Sequence, residues 1–233
     1  DLYGRLKLSE LINKIAKKSS RIGWLRLLYL YPSRISDDLL KIIRDEERLC
    51  KYIDLPVQHI NDRILKSMNR HTRKKDILTL IDKIKKIIPG VCLRTAIIVG
   101  FPSENESEFK ELLRFIQDVK FERLGAFTYS REEDTRAYAF SGQIPKRIKL
   151  QRFDAVMACQ QEICREVNRK FLGKNLKVLI DEKQNDYYIG RSQYDAPEVD
   201  GQVYVKSKKC LKPGDFVDVT ITDTLEYDLA GEV

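Results

Sequence analysis

The sequence predicts an α/β fold in which a parallel sheet covered by helices is followed by a small all-β barrel. Within residues 24–130, short and nearly uninterrupted apolar runs alternate with amphipathic helical runs, a repetition typical of parallel sheets. Beyond residue 173 the pattern changes to short alternating strands separated by turn residues, which favours a small barrel. A long amphipathic helix is predicted between the two parts.

Four apolar runs predict the parallel strands, at residues 24–30, 51–57, 91–101 and 124–130. The helices predicted between them cover 37–50, a short segment capped by Asn61, 77–88 and the region around 109–116. Because four strands are few for a closed βα barrel, we expect the later portion of such a barrel. Active-site groups of this architecture gather at the C-terminal ends of the strands.

Three segments follow from this pattern. Residues 1–143 are predicted to form the barrel portion, 144–172 a connecting helix and 173–233 the all-β barrel. Pro145 suits the first turn of the connecting helix, because proline lacks an N–H that this turn leaves unpaired. The strands predicted in the all-β barrel are 175–181, 187–193, 201–207 and 215–223.

The charge is distributed unevenly over a globular composition. Of the 233 residues, 42% are hydrophobic and 33% charged, which excludes an intrinsically disordered chain. The formal charge is +8, yet residues 171–233 hold 8 basic against 12 acidic residues. This division predicts two surfaces with different partners, with ordinary solvated helix faces as the alternative. The apolar run 96–101 is too short to span a bilayer, so no membrane partner is expected.

Two features of the termini and cysteines bear on location. No signal peptide opens the chain, which predicts a cytoplasmic protein, and the missing initial methionine suggests a piece of a longer one. The five cysteines have irregular spacing, which argues against a secreted disulfide framework. They match neither a zinc pattern nor a three-cysteine iron–sulfur pattern, so we assign no metal ligand. We expect most of them to be small buried side chains.

The segment "LRTAIIVGFPSENESEF" carries the most specific chemistry. Gly100 ends a predicted strand, where a small residue lets a ligand approach the backbone. Strand alternation places Arg94 on the same face as Ala96 and Ile98, from which a guanidinium could bind a ligand carboxylate. The alternative is a glycine in a sharp turn together with an ion pair between Arg94 and a neighbouring acid.

Two further strand ends carry polar side chains. Gln58 both donates and accepts hydrogen bonds, which suits recognition of a polar ligand. His59 beside it is more typical of a hydrogen-bonded scaffold residue than of a base. Tyr129 and Ser130 end the next predicted strand. None of these residues is assigned a catalytic role.

An acidic loop interrupts the second part of this basic chain. In residues 190–201, "GRSQYDAPEVDG", the arginine Arg191 is followed by three carboxylates close together, Asp195, Glu198 and Asp200. Carboxylates repel phosphate and attract a basic protein, so the loop predicts a basic protein partner. The alternative is a turn whose acids cap backbone amides.

Taken in order, five runs resemble the radical-SAM methylthiotransferases: "LRLLYLYP", "YIDLPVQHINDRILKSMNR", "LRTAIIVGFPSENESEF", "LGAFTYSREEDTRAY" and "GRSQYDAPEVDGQVYV". The resemblance covers nearly the whole chain. It implies a partial radical-SAM barrel followed by a substrate-binding TRAM barrel. It also implies S-adenosyl-L-methionine and two 4Fe-4S clusters as cofactors of the complete protein. The leading domain and the cluster-binding cysteines are absent from this sequence, so we expect a fragment that is inactive alone.

The resemblance also implies a reaction and roles for the residues. S-adenosylmethionine is cleaved to a 5′-deoxyadenosyl radical, which abstracts a hydrogen atom from the substrate before a methylthio group is inserted. The residues implied on the S-adenosylmethionine side are Gln58, Arg94, Thr95 and Gly100. Tyr129 and Ser130 are implied nearer the substrate.

Two branches of the family compete for this chain. One modifies an adenosine derivative in tRNA, and the other modifies the β-carbon of an aspartate in a small-subunit ribosomal protein. Gln58-His59 stands where the tRNA branch usually has Gln-Ser, and the acidic loop suits a basic ribosomal protein better than RNA. The sequence therefore predicts the protein-modifying branch, with direct nucleic-acid binding disfavoured. A non-catalytic module that binds ribosomal protein or RNA is the alternative of another class.

The chain departs from the family pattern at two positions. Ser103 and Asp134 stand where the family usually has glycine. A side chain at a position that needs glycine changes the local backbone geometry, so we expect adjustments in both turns.

Overall fold

The computed structural model describes Gly4 and residues 6–233, and they divide into two compact units that separate between residues 160 and 161. The first unit contains a parallel sheet with helices, and the second contains a closed barrel. Within the described residues, no helix is both long and apolar enough to cross a membrane.

The first unit is built around three parallel strands. They are β1 (Tyr52–Asp54), β2 (Cys92–Val99) and β3 (Arg123–Thr128), in the order β1-β2-β3. The register pairs Asp54 with Arg94 and Ala96 with Gly125. Strand β2 lies in the middle and most of its side chains are buried, as expected for a strand covered by helices.

The helices of this unit each follow a polar or charged residue, which in several cases caps the first turn. They are α1 (Leu8–Lys18), α2 (Asp37–Asp45), α3 (Asp62–Ser67), α4 (Lys74–Ile87) and α5 (Glu106–Val119). The side chain of Asn61 accepts hydrogen bonds from two backbone N–H groups of α3, which confirms the predicted cap. Asn105 and Glu108 form a reciprocal capping box at the start of α5.

The strand predicted at residues 24–30 is wrong. The segment makes one isolated parallel bridge, between Leu25 and Leu49, and Leu30 N donates to Asp54 O at 2.9 Å. The backbone of Tyr29 has a φ of 56°, a left-handed conformation that cannot continue a strand. The helix predicted over 37–50 ends at Asp45, and the strand predicted over 51–57 is only three residues long.

The second unit confirms the predicted small barrel. Helix α6 (Lys146–Asn168) precedes it and carries the boundary between the units. The strands are β4 (Asn175–Gln184), β5 (Tyr187–Ser192), β6 (Val203–Lys206), β7 (Phe216–Thr224) and β8 (Leu229–Glu232). They close in the order β4-β5-β6-β8-β7, with β7 paired to β4.

Strand β8 is absent from the prediction, which has four barrel strands rather than five. Its sequence, "LAGE", has weak strand character because glycine is disfavoured in strands. Packing selects that glycine: a Cβ on Gly231 would lie 2.4 Å from the carbonyl oxygen of Thr220 on β7. Closure of the barrel core, which includes Val178, Val203 and Val219, therefore fixes β8 through contacts distant in sequence.

Candidate active site

A cavity of about 1140 Å³ lies at the C-terminal ends of β1, β2 and β3. We call it the strand-end cavity. It is lined mainly by aromatic and aliphatic groups with a few polar ones, the composition typical of a site for a small organic ligand. Its lining residues include Tyr29, Tyr31, Gln58, Arg70, Tyr129 and Ser130.

Gln58 is held rigidly against the central strand. Its backbone N–H donates to Ala96 O at 2.9 Å, and its carbonyl accepts from Ile98 N at 2.8 Å. Its φ of 68° is a left-handed conformation that is costly for glutamine and is maintained here by hydrogen bonds on both sides. Gln58 lines the strand-end cavity, so the structure places this predicted ligand residue at the candidate site.

Arg94 lies beneath the rim of the cavity rather than among its lining residues. Its NH1 donates to Asp54 Oδ1 at 2.9 Å, and both side chains are buried. The other oxygen of this carboxylate, Asp54 Oδ2, accepts from Tyr29 N at 2.9 Å. The predicted alternative, an ion pair with a neighbouring acid, is therefore what forms. Through Asp54, the pair holds Tyr29 in its left-handed conformation at the rim.

Thr95 and Gly100 also have structural partners. The Thr95 hydroxyl is fully buried and donates to Leu55 O at 2.9 Å, which ties β1 to β2. Gly100 has a φ of 72°, and a Cβ at this position would lie 2.5 Å from Cγ of Lys149. The Lys149 side chain therefore approaches the Gly100 backbone closely. Neither residue is among those that line the strand-end cavity.

Tyr129 and Ser130 line the cavity at the end of β3. The ring of Tyr129 packs edge-on against Phe101, with centroids 5.2 Å apart. Lys149 Nζ donates to Tyr129 O at 2.7 Å, and burial lowers the pKa of this amine. The Tyr129 hydroxyl is buried and has no hydrogen-bond partner in the described structure. A buried polar atom of this kind is available to a ligand.

A buried ion pair that the sequence did not suggest fixes the loop after β2. Glu104 Oε2 accepts from the backbone N–H of Gly100 at 2.7 Å and of Phe101 at 3.2 Å. Its Oε1 accepts from Arg152 NH1 of α6 at 3.0 Å. Phe101 is a lining residue, so this pair supports the cavity wall. The sequence does not indicate this pair, because its two residues lie 48 positions apart in the chain.

His59 is scaffold, as its sequence context predicted. The ring is fully buried, and Nδ1 accepts from Asn61 N at 2.9 Å. Burial lowers the pKa of His59 to about 4, so the imidazole is neutral at physiological pH. With Nδ1 as an acceptor, the proton resides on Nε2, which has no partner in the part of the chain that is described.

An iron–sulfur cluster does not fit the residues present. No group of three or more Cys, His, Asp or Glu side chains suited to a metal ion occurs in the described residues. Three cysteines are buried, Cys159 is half-buried and Cys210 is exposed, and none of them lines the strand-end cavity. An adenosyl ligand does fit, because the cavity combines adequate volume with aromatic walls and a buried hydroxyl that lacks a partner.

Comparison with known proteins accounts for both units. A family model described as the Radical SAM superfamily matches residues 3–116, and one described as the TRAM domain matches residues 172–233. The ribosomal protein uS12 methylthiotransferase RimO of Clostridioides difficile is 49% identical over 100% of this chain and 52% of its own length. The protein of the same name from Caldanaerobacter subterraneus is 47% identical over 100% of this chain and 53% of its own length. This chain contains a radical-SAM region followed by a TRAM domain.

The chain spans about half the length of the curated methylthiotransferases that it matches. Among solved structures, the radical-SAM enzyme coproporphyrinogen III oxidase of Escherichia coli aligns with a TM-score of 0.48 at 17% sequence identity. That alignment covers 76% of this chain and 38% of the other.

The two departures from the methylthiotransferase pattern keep a glycine-like backbone. Ser103 has a φ of 64° and Asp134 a φ of 63°, both in the left-handed region. Ser103 is secured by its N–H, which donates to Gly142 O at 2.8 Å, and by its hydroxyl, which donates to Ser141 O at 3.2 Å. Both residues therefore adopt a conformation that is costly for any residue other than glycine.

The acidic loop is largely organised by its own carboxylates. Asp195 is only 2% exposed and accepts from the Ser192 hydroxyl at 2.6 Å. Asp200 accepts from Ala196 N at 2.8 Å. Arg191 forms an ion pair with Asp181 on the neighbouring strand. The predicted surface of three carboxylates is therefore wrong for Asp195, which is buried, and Glu198 is the exposed carboxylate of the three.

Proposed function

We propose that this chain forms part of an enzyme that methylthiolates the β-carbon of an aspartate in small-subunit ribosomal protein uS12. The observation that carries the proposal is the continuous match, over both units, to proteins named ribosomal protein uS12 methylthiotransferase. The net reaction replaces a C–H bond of the aspartate with a C–S bond to a methylthio group. Such an enzyme acts where ribosomes are made, so we propose a cytoplasmic location.

We propose that the strand-end cavity receives S-adenosylmethionine and the target aspartate. When bound, S-adenosylmethionine supplies the carbon radical that removes the hydrogen atom, while the protein provides orientation and shielding. Gln58 is suited to hold a polar group of either ligand, because its backbone is fixed and its side chain both donates and accepts. In this proposal Tyr129 and Ser130, which line the cavity at the end of β3, contact the substrate.

The remaining residues that the family resemblance assigned to the cofactor have supporting roles in this proposal. Arg94 supports the rim through Asp54, Thr95 joins β1 to β2, and Gly100 provides room for Lys149. The 4Fe-4S groups that the family uses need ligands outside the described residues. We therefore assign no step of the reaction to them here.

The test uses the complete gene product that contains this chain. It is loaded anaerobically with iron and sulfide, supplied with S-adenosylmethionine and dithionite as the electron donor, and incubated with uS12. Mass spectrometry should find one hydrogen of an aspartate replaced by a methylthio group, and uS12 with asparagine at that position should remain unmodified. Modification of an anticodon stem-loop RNA in place of uS12 would instead assign the chain to the tRNA branch.

A further inference from the structure

Arg70, like Arg136, lines the strand-end cavity and has no acidic partner within the described residues. Its guanidinium lies over the ring of Tyr31, 5.2 Å from the centroid, and Tyr31 also lines the cavity. Three arginines outside the cavity lining are each paired with a carboxylate: Arg63 with Glu108, Arg94 with Asp54, and Arg152 with Glu104. Arg70 is thus a half-buried cation, and its guanidinium N–H groups form no hydrogen bond within the described residues.

The position of Arg70 is fixed by the end of α3. Asn69 takes a left-handed conformation, with a φ of 58°, and its N–H donates to Lys66 O at 3.0 Å. The N–H of Arg70 then donates to Leu65 O at 2.8 Å. These two bonds form a Schellman motif, in which asparagine is one of the few residues that tolerate the left-handed position. The motif directs the chain back over the cavity, and the Tyr31 ring supports the guanidinium.

The charge of the cavity wall also favours an anionic ligand. Three cationic residues line the strand-end cavity, namely Lys66, Arg70 and Arg136. One acidic residue, Glu132, lines it as well, and it accepts a hydrogen bond from the Ser130 hydroxyl. The excess of positive charge lies in a partly enclosed, largely apolar space, where an ionic contact is stronger than in open water.

We propose that Arg70, supported by Tyr31, binds a ligand carboxylate in the strand-end cavity. A guanidinium presents two parallel N–H donors to a carboxylate, and a stacked guanidinium is held in the orientation that this contact requires. The inference rests on the proposed function, because both ligands of that reaction carry a carboxylate. One is the amino acid end of S-adenosylmethionine, and the other is the side chain of the target aspartate.

The test is nuclear magnetic resonance of the 233-residue chain, with the Nε–Hε signal of Arg70 as the readout. Two matched ligand pairs are titrated: S-adenosylmethionine against its decarboxylated form, and N-acetyl-aspartate methylamide against its asparagine analogue. In one pair, the member with a carboxylate should shift the Arg70 signal saturably, whereas its partner should not. The responding pair identifies the source of the carboxylate.

Three variants complete the experiment. Arg70→Gln should weaken binding of the responding ligand about tenfold or more, since a hydrogen bond to a charged group is lost. Arg70→Lys, which keeps the charge without the fork, should recover only part of this loss. Arg34→Gln is the matched control, because Arg34 is an exposed arginine on the nearby 3₁₀ turn that is absent from the cavity lining. Its binding should equal that of the parent chain.

Two outcomes would overturn the assignment. If both members of each pair shift other cavity signals equally and Arg70→Gln binds normally, the cavity receives its ligands as proposed, but Arg70 does not read a carboxylate. If no ligand shifts any cavity signal, the assignment of S-adenosylmethionine and aspartate to this cavity fails together with the role of Arg70. A thermal unfolding midpoint of Arg70→Gln within error of the parent chain excludes misfolding as the cause of weak binding.

Discussion

Asp54 and Arg94 form a buried ion pair, 2.9 Å between Oδ1 and NH1, on adjacent strands of the parallel sheet. The second carboxylate oxygen accepts from Tyr29 N, so one aspartate links the sheet to the rim of the strand-end cavity. The left-handed backbone of Tyr29 depends on this contact, because such a conformation persists only where surrounding structure maintains it.

We predict that Asp54→Ala lowers the free energy of unfolding by about 3–5 kcal/mol, the scale for removing one partner of a buried ion pair. Urea denaturation measures the loss. Asp45→Ala is the control, because its pair with Arg44 is exposed and should contribute no resolvable stability. Equal losses of unfolding free energy in the two variants would show that the buried pair stabilises the protein no more than the exposed pair does.

Glu104 and Arg152 form a buried ion pair in the first unit, and we expect their contributions to stability to be strongly coupled. One carboxylate oxygen of Glu104 accepts from two backbone N–H groups and the other accepts from Arg152. Glu104→Gln replaces one of these oxygens by an NH₂ group, which donates hydrogen bonds and cannot accept them. We expect a loss of about 3 kcal/mol, the scale for a broken buried pair. A double-mutant cycle with Arg152→Met should return a coupling energy of at least about 1 kcal/mol. Additive losses would mean that the two side chains act independently.

The sequence predicted elements whose cause is local. Asn61 caps α3, and the apolar run of β2 forms the central strand, because a side chain next to a helix start or an unbroken hydrophobic run determines each. Strand β8 escaped prediction because its glycine is selected by the approach of Thr220. The strand predicted at 24–30 failed because Asp54, far along the chain, holds Tyr29 out of a strand conformation.

The same distinction holds for the candidate site. Gln58, Tyr129 and Ser130 were predicted from their positions at strand ends, and they line the cavity. Arg94 was predicted to bind a carboxylate, but the sequence alone could not reveal that its guanidinium forms an ion pair with Asp54. The sequence did not predict a role for Arg70, because its contact with the Tyr31 ring joins two loops that are separate in the chain. Pairing between distant residues determines which cation remains available to a ligand.

His59 predicts how stability depends on pH. Its pKa falls from 6.5 to about 4 on folding, so between these values the unfolded chain binds the additional proton. Stability from this group is therefore complete above about pH 6.5 and is lost as the pH falls towards 4, by about 3 kcal/mol. Urea denaturation at several pH values measures the slope. His59→Gln should flatten it relative to the parent chain, whereas His71→Gln should not.

The left-handed serine and aspartate predict two stabilising substitutions. Ser103→Gly and Asp134→Gly should each raise the free energy of unfolding, by up to about 1 kcal/mol, because glycine adopts a positive φ without a Cβ clash. The gain at Ser103 is reduced by loss of its hydrogen bond to Ser141. Asp134→Ala is the control and should be no more stable than the parent chain. A stabilising alanine would exclude backbone strain as the reason.

The acidic loop contains a buried carboxylate, Asp195, and an exposed one, Glu198, for which we predict different effects. Asp195→Ala should destabilise the barrel by about 1–3 kcal/mol, because it leaves the buried Ser192 hydroxyl without this acceptor. Glu198→Lys should leave the unfolding transition unchanged, since its side chain is exposed. If uS12 is the partner, Glu198→Lys should weaken its binding roughly two- to fivefold at low salt, the scale of one exposed ionic contact. Asp218→Lys makes the same charge change on an exposed position of β7 and serves as the control. Binding that weakens equally in both variants would reflect overall charge, and unchanged binding in both would remove the acidic loop from the interface.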